Sequence, residues 1–211
     1  MSDNLGFIHR FVPADDPASA ETLVVLHGTG GDENDLVEIG QAIAPGAAIL
    51  SPRGKVLENG APRFFKRLAE GVFDPNEVRA RGEELSRFIR AAVAKYGLDP
   101  ARVFAFGYSN GANAASTAMF IDPGLFQGAI LFRPMLVFEP DDPPDLSGSS
   151  VLISAGRTDP IVPTNSVDRL VELLKSSRAE VTLKWQLAGH NLAPSEVREA
   201  ADWLALQRAR V

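Results

Sequence analysis

The sequence predicts an α/β fold, a mostly parallel central sheet flanked by helices, and three observations predict it. Short apolar runs of β type alternate along the 211 residues with longer stretches of helical periodicity, the pattern of strands joined by crossover helices. The run Thr22 to Leu26 (TLVVL) reads as a strand buried on both faces. Two such runs lead directly into glycine-rich turns, His27-Gly28-Thr29-Gly30-Gly31 and Gly107-Tyr108-Ser109-Asn110-Gly111. The length suits one domain over residues 1–211, and no internal repeat, low-complexity tract or linker divides it.

After the first strand and its turn, Glu33 to Ala44 reads as a helix closed by Pro45-Gly46. Ala47 to Leu50 is a second strand, stopped by Ser51-Pro52-Arg53-Gly54. Arg53 to Pro75 is irregular. Asp74-Pro75 can open the next helix, since proline suits a first turn. That helix runs to about Tyr96, carries Leu85, Phe88, Ile89, Ala92 and Val93 at helical spacing, and stops at Gly97. The strand Val103 to Phe106 precedes the second glycine-rich turn and the small-residue helix Ala112 to Ile121. Ala129 to Phe132 is a strand, Glu139 to Ser150 a loop rich in Pro, Asp and Ser, and Val151 to Ser154 another strand. The last elements are a helix at about 165–176, a strand from Val181 to Gln186, the loop Ala188-Gly189-His190-Asn191 and a closing helix from Pro194.

Composition narrows the function. A net charge of -6 argues against a nucleic-acid partner, which needs clustered Lys and Arg. With no cysteine, disulfides, Cys-ligated zinc and a thiol nucleophile are excluded. Met1 to Val12 carries Asp3, His9 and Arg10 with no apolar leader core, and runs such as Leu23–Leu26 and Ala129–Phe132 are too short to span a bilayer. A cytoplasmic protein is expected.

The chemistry centres on Gly107-x-Ser109-x-Gly111 between a strand and a helix. A nucleophile on so tight a turn needs small neighbours, and the turn lifts its hydroxyl to a helix N-terminus where developing negative charge is favoured. The strand before it, and Ala112, Ala114 and Ala115 after it, supply the context that a bare GxSxG lacks. Serine needs a base, and of His9, His27 and His190 only His190 follows Ser109 in the chain, as this fold's order of nucleophile, acid and histidine requires. Among Asp122, Asp141, Asp142, Asp145, Asp159 and Asp168, only Asp159 lies in a tight loop just beyond a buried-type strand. Ser109, Asp159 and His190 are therefore the expected triad. Backbone N–H groups of Asn110 and Thr29 are the expected oxyanion donors, while His27 reads as structural. A phosphate-binding reading of the His27–Gly31 turn lacks both the P-loop lysine and the full dinucleotide fingerprint.

At these residues the chain resembles the phospholipase/carboxylesterase family of α/β-hydrolases, which includes acyl-protein thioesterases. It is most similar to the bacterial branch containing hydroquinone-stress-associated hydrolases. LHGTGGDENDL (26–36), SPRG (51–54), GYSNGAN (107–113), AGRTDPIVP (155–163) and AGH (188–190) carry the resemblance from about residue 22 onward. It implies an α/β-hydrolase fold without a large cap domain, acting on esters or thioesters without cofactor or metal, and pairing as a homodimer. It carries triad roles to Ser109, Asp159 and His190 and oxyanion roles to Thr29 and Asn110. Asn110 departs from the glutamine of many members, a change that a backbone donor tolerates. Segment 53–73 follows the bacterial branch, which directs the expectation away from protein deacylation.

The expected activity is hydrolysis of small to medium carboxylic esters. Alternatives on the same residues are thioester or lysophospholipid cleavage, acyl transfer, and an idle hydrolase fold used for binding; dienelactone-type hydrolysis normally requires a cysteine. Arg53, Arg63, Phe64, Phe65 and Arg133 follow strand ends and are candidates to bind a substrate with an apolar part and an anionic group. Phe64 and Phe65 read equally well as core, the arginines as partners of the abundant acids. Phe73 and Met135 are further wall candidates.

Overall fold

The computed structural model describes residues 5–17, 21–69 and 71–208. Asp3, in the segment read for a leader, and Glu70, within segment 53–73, lie outside them. A seven-stranded sheet forms the centre, with β1 (His9–Val12), β2 (Thr22–Leu26), β3 (Ala48–Pro52), β8 (Val103–Tyr108), β9 (Gly128–Phe132), β10 (Ser150–Gly156) and β11 (Glu180–Gln186) in the spatial order β1-β3-β2-β8-β9-β10-β11. Only β1 runs antiparallel to its neighbour.

Helices α1 (Val37–Ile43) and α5 (Pro194–Arg208) cover one face, and α2 (Pro75–Tyr96), α3 (Asn110–Ile121) and α4 (Thr164–Ser176) the other. β2 shows why the sheet needs both layers. Its alternating side chains split, Leu23 and Val25 packing toward α1 and α5, Val24 and Leu26 toward the opposite core. α2 is fixed at both ends by local chemistry: the Asp74 carboxylate accepts from the Asn76 N–H at 2.9 Å, and Gly97 closes the helix at φ 66°.

Three local readings change. The first helix begins at Val37 rather than Glu33, because Asp32 accepts the Asn34 N–H (2.7 Å) and Glu33 is drawn to Arg53. β1 joins the sheet edge although His9 and Arg10 interrupt its apolar pattern. The irregular stretch 53–75 contains two hairpins, β4 (Val56–Glu58) with β5 (Ala61–Arg63) and β6 (Arg67–Ala69) with β7 (Val72–Phe73). Asn59 and Gly60 join the first, both at positive φ, as a two-residue hairpin turn demands.

The chain leaves β2 for β3 on one side, while β8 pairs on the other. Loops after β2 and β8 therefore diverge at a topological switch point, where open α/β sheets leave a crevice. Those loops are the two glycine-rich turns.

Candidate active site

Ser109 sits at the top of β8 as the N-cap of α3, at φ 52° and ψ -116°, a backbone conformation that costs energy for any residue with a side chain. Its flanking glycines are sterically required. A Cβ on Gly107 would lie 2.5 Å from the Gly111 carbonyl oxygen, and one on Gly111 would lie 2.0 Å from that of Leu26. The turn thus presses directly onto β2, and the Ser109 hydroxyl is presented above the sheet edge.

His190 and Asp159 meet it there. His190 Nε2 lies 2.9 Å from Ser109 Oγ, and Nδ1 lies 2.8 Å from Asp159 Oδ2. The other Asp159 oxygen accepts the N–H groups of Ile161 (2.8 Å) and Val162 (3.1 Å), and its side chain is 1% exposed. An acceptor-only carboxylate opposite Nδ1 keeps the proton on that nitrogen, leaving the Nε2 lone pair for the serine hydroxyl.

The loop bearing His190 is held by residues from three other elements. Arg133, 0% exposed, follows β9 at φ 55° and donates from Nε to the Gly189 carbonyl (2.9 Å) and from Nη2 to that of Asn191 (2.7 Å). The Tyr108 hydroxyl donates to the intervening His190 carbonyl at 3.1 Å. A guanidinium this buried would be costly unpaired, and Glu196 in the first turn of α5 receives it through both oxygens, at 2.6 and 2.9 Å. Burial alone would push the Glu196 carboxyl up, but Arg133, the Ser154 hydroxyl (2.5 Å) and the Ala193 N–H (2.9 Å) together hold it below the usual carboxylate range.

The turn after β2 is anchored from segment 54–64. His27 Nε2 accepts the Gly54 N–H at 2.9 Å, and its Nδ1 donates to the Gly28 carbonyl at 2.7 Å. Burial lowers the His27 pKa from 6.5, with only partial relief from the Gly28 carbonyl and nearby acids, so the ring is neutral and fills both roles. The Gly30 N–H donates to the Pro62 carbonyl (2.9 Å), and Arg63 Nη1 donates to the Thr29 hydroxyl (2.6 Å). Asn110 is tied to the same segment, its Oδ1 accepting the Phe64 N–H at 2.7 Å.

These loops enclose a cavity of about 320 Å³. Ser109, His190, Thr29 and Asn110 line one end, and Phe73, Met135, Ile161 and Val162 supply apolar wall. Of the arginines and phenylalanines expected near substrate, Arg63 and Arg133 border the void. Arg53 does not: it lies against Glu33, at 2.5 and 2.7 Å, and Asp32, at 3.6 Å. Phe64 and Phe65 are core, 4% and 1% exposed, where each contributes about 1.5–3 kcal/mol of apolar burial. Arg133 is occupied by Glu196 and the loop carbonyls. Sequence reasoning missed Arg67 on the cavity wall, and Tyr108 and Glu196 behind His190. Among the described residues no group of three or more His, Asp or Glu is arranged to hold a metal, and no helix is long and apolar enough to cross a membrane.

Sheet, elbow and loop arrangement are those of an α/β-hydrolase. The family model described as Phospholipase/Carboxylesterase matches residues 8–207, and the chain belongs to that family. MhqD of Bacillus subtilis (strain 168), to which a hydrolase activity is ascribed, is 43% identical over 185 residues, covering 88% of this chain and 92% of that protein. The Bacillus cereus carboxylesterase superposes with a TM-score of 0.92 at 39% identity, covering 98% of this chain and all of that one (100%). A Mesorhizobium loti carboxylesterase gives 0.89 at 32% identity, over 97% of each chain.

Proposed function

We propose that this hydrolase is a serine carboxylesterase that cleaves short to medium carboxylic esters through an acyl-enzyme on Ser109. The observation that carries the reading is the unbroken relay Ser109 Oγ–His190 Nε2 (2.9 Å) and His190 Nδ1–Asp159 Oδ2 (2.8 Å), opening into the cavity. His190 takes the hydroxyl proton as Ser109 attacks the ester carbonyl, and Asp159 orients the ring and stabilises its charged form. The oxyanion rests on the N–H groups of Thr29 and Asn110, each such donor being worth roughly 10²–10³-fold in rate. The alkoxide leaves with the proton from His190, and water, activated by the same histidine, releases the acid. The cavity of about 320 Å³ favours short acyl groups, and the carboxylesterases among the relatives favour an ester as the bond cleaved.

Hydrolysis of a p-nitrophenyl ester series, acetate to long acyl chains, by wild type and Ser109→Ala tests the reading. Turnover should peak at short chains and fall at least about 10³-fold in the variant. Equal activity in both proteins would remove Ser109 from the chemistry.

A further inference from the structure

The cavity's charge is opposite to that of the chain. The protein carries a net -6. Yet the charged residues lining the void, among those described, are Arg63, Arg67 and Arg133, with no carboxylate beside them. Their counter-ions stand outside the lining. Glu196 cancels Arg133 behind the His190 loop, with both side chains essentially buried. Glu58 lies between the other two: Arg67 sends Nε and Nη2 to one of its oxygens, at 3.1 and 2.6 Å, and Arg63 Nε stands 3.2 Å from the other. Asp159 is committed to His190. Among the described residues, one carboxylate thus serves two guanidinium groups on the wall formed by β5 and β6.

Arg63 is deeply set, its side chain 5% exposed, and spends Nε on the Phe65 carbonyl (3.2 Å) and Nη1 on Thr29. Burial pulls its pKa down, Glu58 offsets part of that and Arg67 adds to the fall. Arginine remains protonated nonetheless. The more exposed Arg67 also lines the void, and guanidinium geometry matches a carboxylate. Phe73, Met135, Ile161 and Val162, which also line the void, accept methylenes.

We infer that the physiological substrate is a short ester bearing one carboxylate, its anionic group held against Arg67 and Arg63 while its carbonyl lies at Ser109. The inference rests on the esterase reading above and adds the substrate's charge to it.

The test compares two substrates of matched length, the mono-p-nitrophenyl ester of glutaric acid and p-nitrophenyl hexanoate, with spontaneous hydrolysis subtracted. It uses wild type, Arg67→Gln, and Arg53→Gln, which makes the same change in net charge away from the cavity. Wild type should prefer the anionic ester in kcat/KM. Arg67→Gln should lower the anionic-to-neutral ratio by about 10-fold, as expected for one lost charge-assisted contact, while Arg53→Gln holds it within about twofold. A neutral preference in wild type, or an equal loss of ratio in both variants, overturns the inference and leaves the esterase reading standing. Turnover of neither ester overturns both.

Discussion

Three successive carbonyls, those of Gly189, His190 and Asn191, are each gripped by a side-chain donor, Tyr108 at the end of β8 or the buried Arg133 after β9. The facing wall, from Gly54 to Phe73, rests instead on two short hairpins whose outer side chains Leu57, Leu68 and Val72 are 68%, 61% and 50% exposed. The histidine side is built to hold one geometry, because a base displaced by a fraction of an ångström no longer meets the serine hydroxyl. The hairpin side leaves those three side chains in solvent, meets the turn after β2 through hydrogen bonds of Gly54, Pro62 and Arg63, and carries Arg63 and Arg67. Under the proposed function and substrate charge, chemistry falls to one wall of the cavity and selection to the other.

Five outcomes would sharpen or break that division. The largest belongs to the histidine side. Asp159→Asn keeps the shape but offers Nδ1 a donor, so kcat should fall by roughly 10⁴-fold with the fold retained, as far-UV circular dichroism would verify. Next is Glu196→Gln, which strands the Arg133 guanidinium; urea unfolding should report a loss on the order of 3–5 kcal/mol. The paired replacement Arg133→Met with Glu196→Leu should recover much of that stability but not kcat, because the Gly189 and Asn191 carbonyls lose their donors. Full recovery of kcat would make the clamp merely structural.

On the hairpin side, Arg63→Met frees the Thr29 hydroxyl and should cost on the order of 10-fold in kcat for the neutral ester, and more for the anionic one because it also removes one of the two guanidinium groups that face the carboxylate. The smallest effect concerns His27. Its folded pKa lies below 6.5, so below about pH 6.5 the unfolded chain takes up a proton that the folded chain refuses. This contribution leaves stability flat above that pH and lowers it as pH falls toward the depressed folded value. His27→Asn should flatten the slope in thermal melts; an unchanged slope would assign it to other groups.

Much of this arrangement was legible in the sequence. The strands Thr22–Leu26 and Ala129–Phe132 stand out because burial on both faces leaves them no polar alternation, and chain order picks His190 from three histidines. Ser109 and Asp159 each lie within hydrogen-bonding distance of His190. What escaped depends on distant partners. That Arg133 is spent within the protein follows from Glu196, 63 positions later, and nothing local announces the pair. Phe64 and Phe65 beside Arg63 look like a rim, but the chain turns them into the core under His27, which packs on Phe64 at 4.8 Å between ring centroids. Three-residue strands are too short to display a period, so the hairpins were hidden, although Asn59-Gly60 was a usable turn signal.

Covalent capture reports whether a firmly held His190 activates Ser109. Wild type and Asp159→Asn would be exposed to a p-nitrophenyl phosphonate, and the modified peptides located by mass spectrometry. The account predicts a single phosphonyl adduct on Ser109, formed far more slowly in the variant. An adduct on another residue, or equal rates in both proteins, would contradict it.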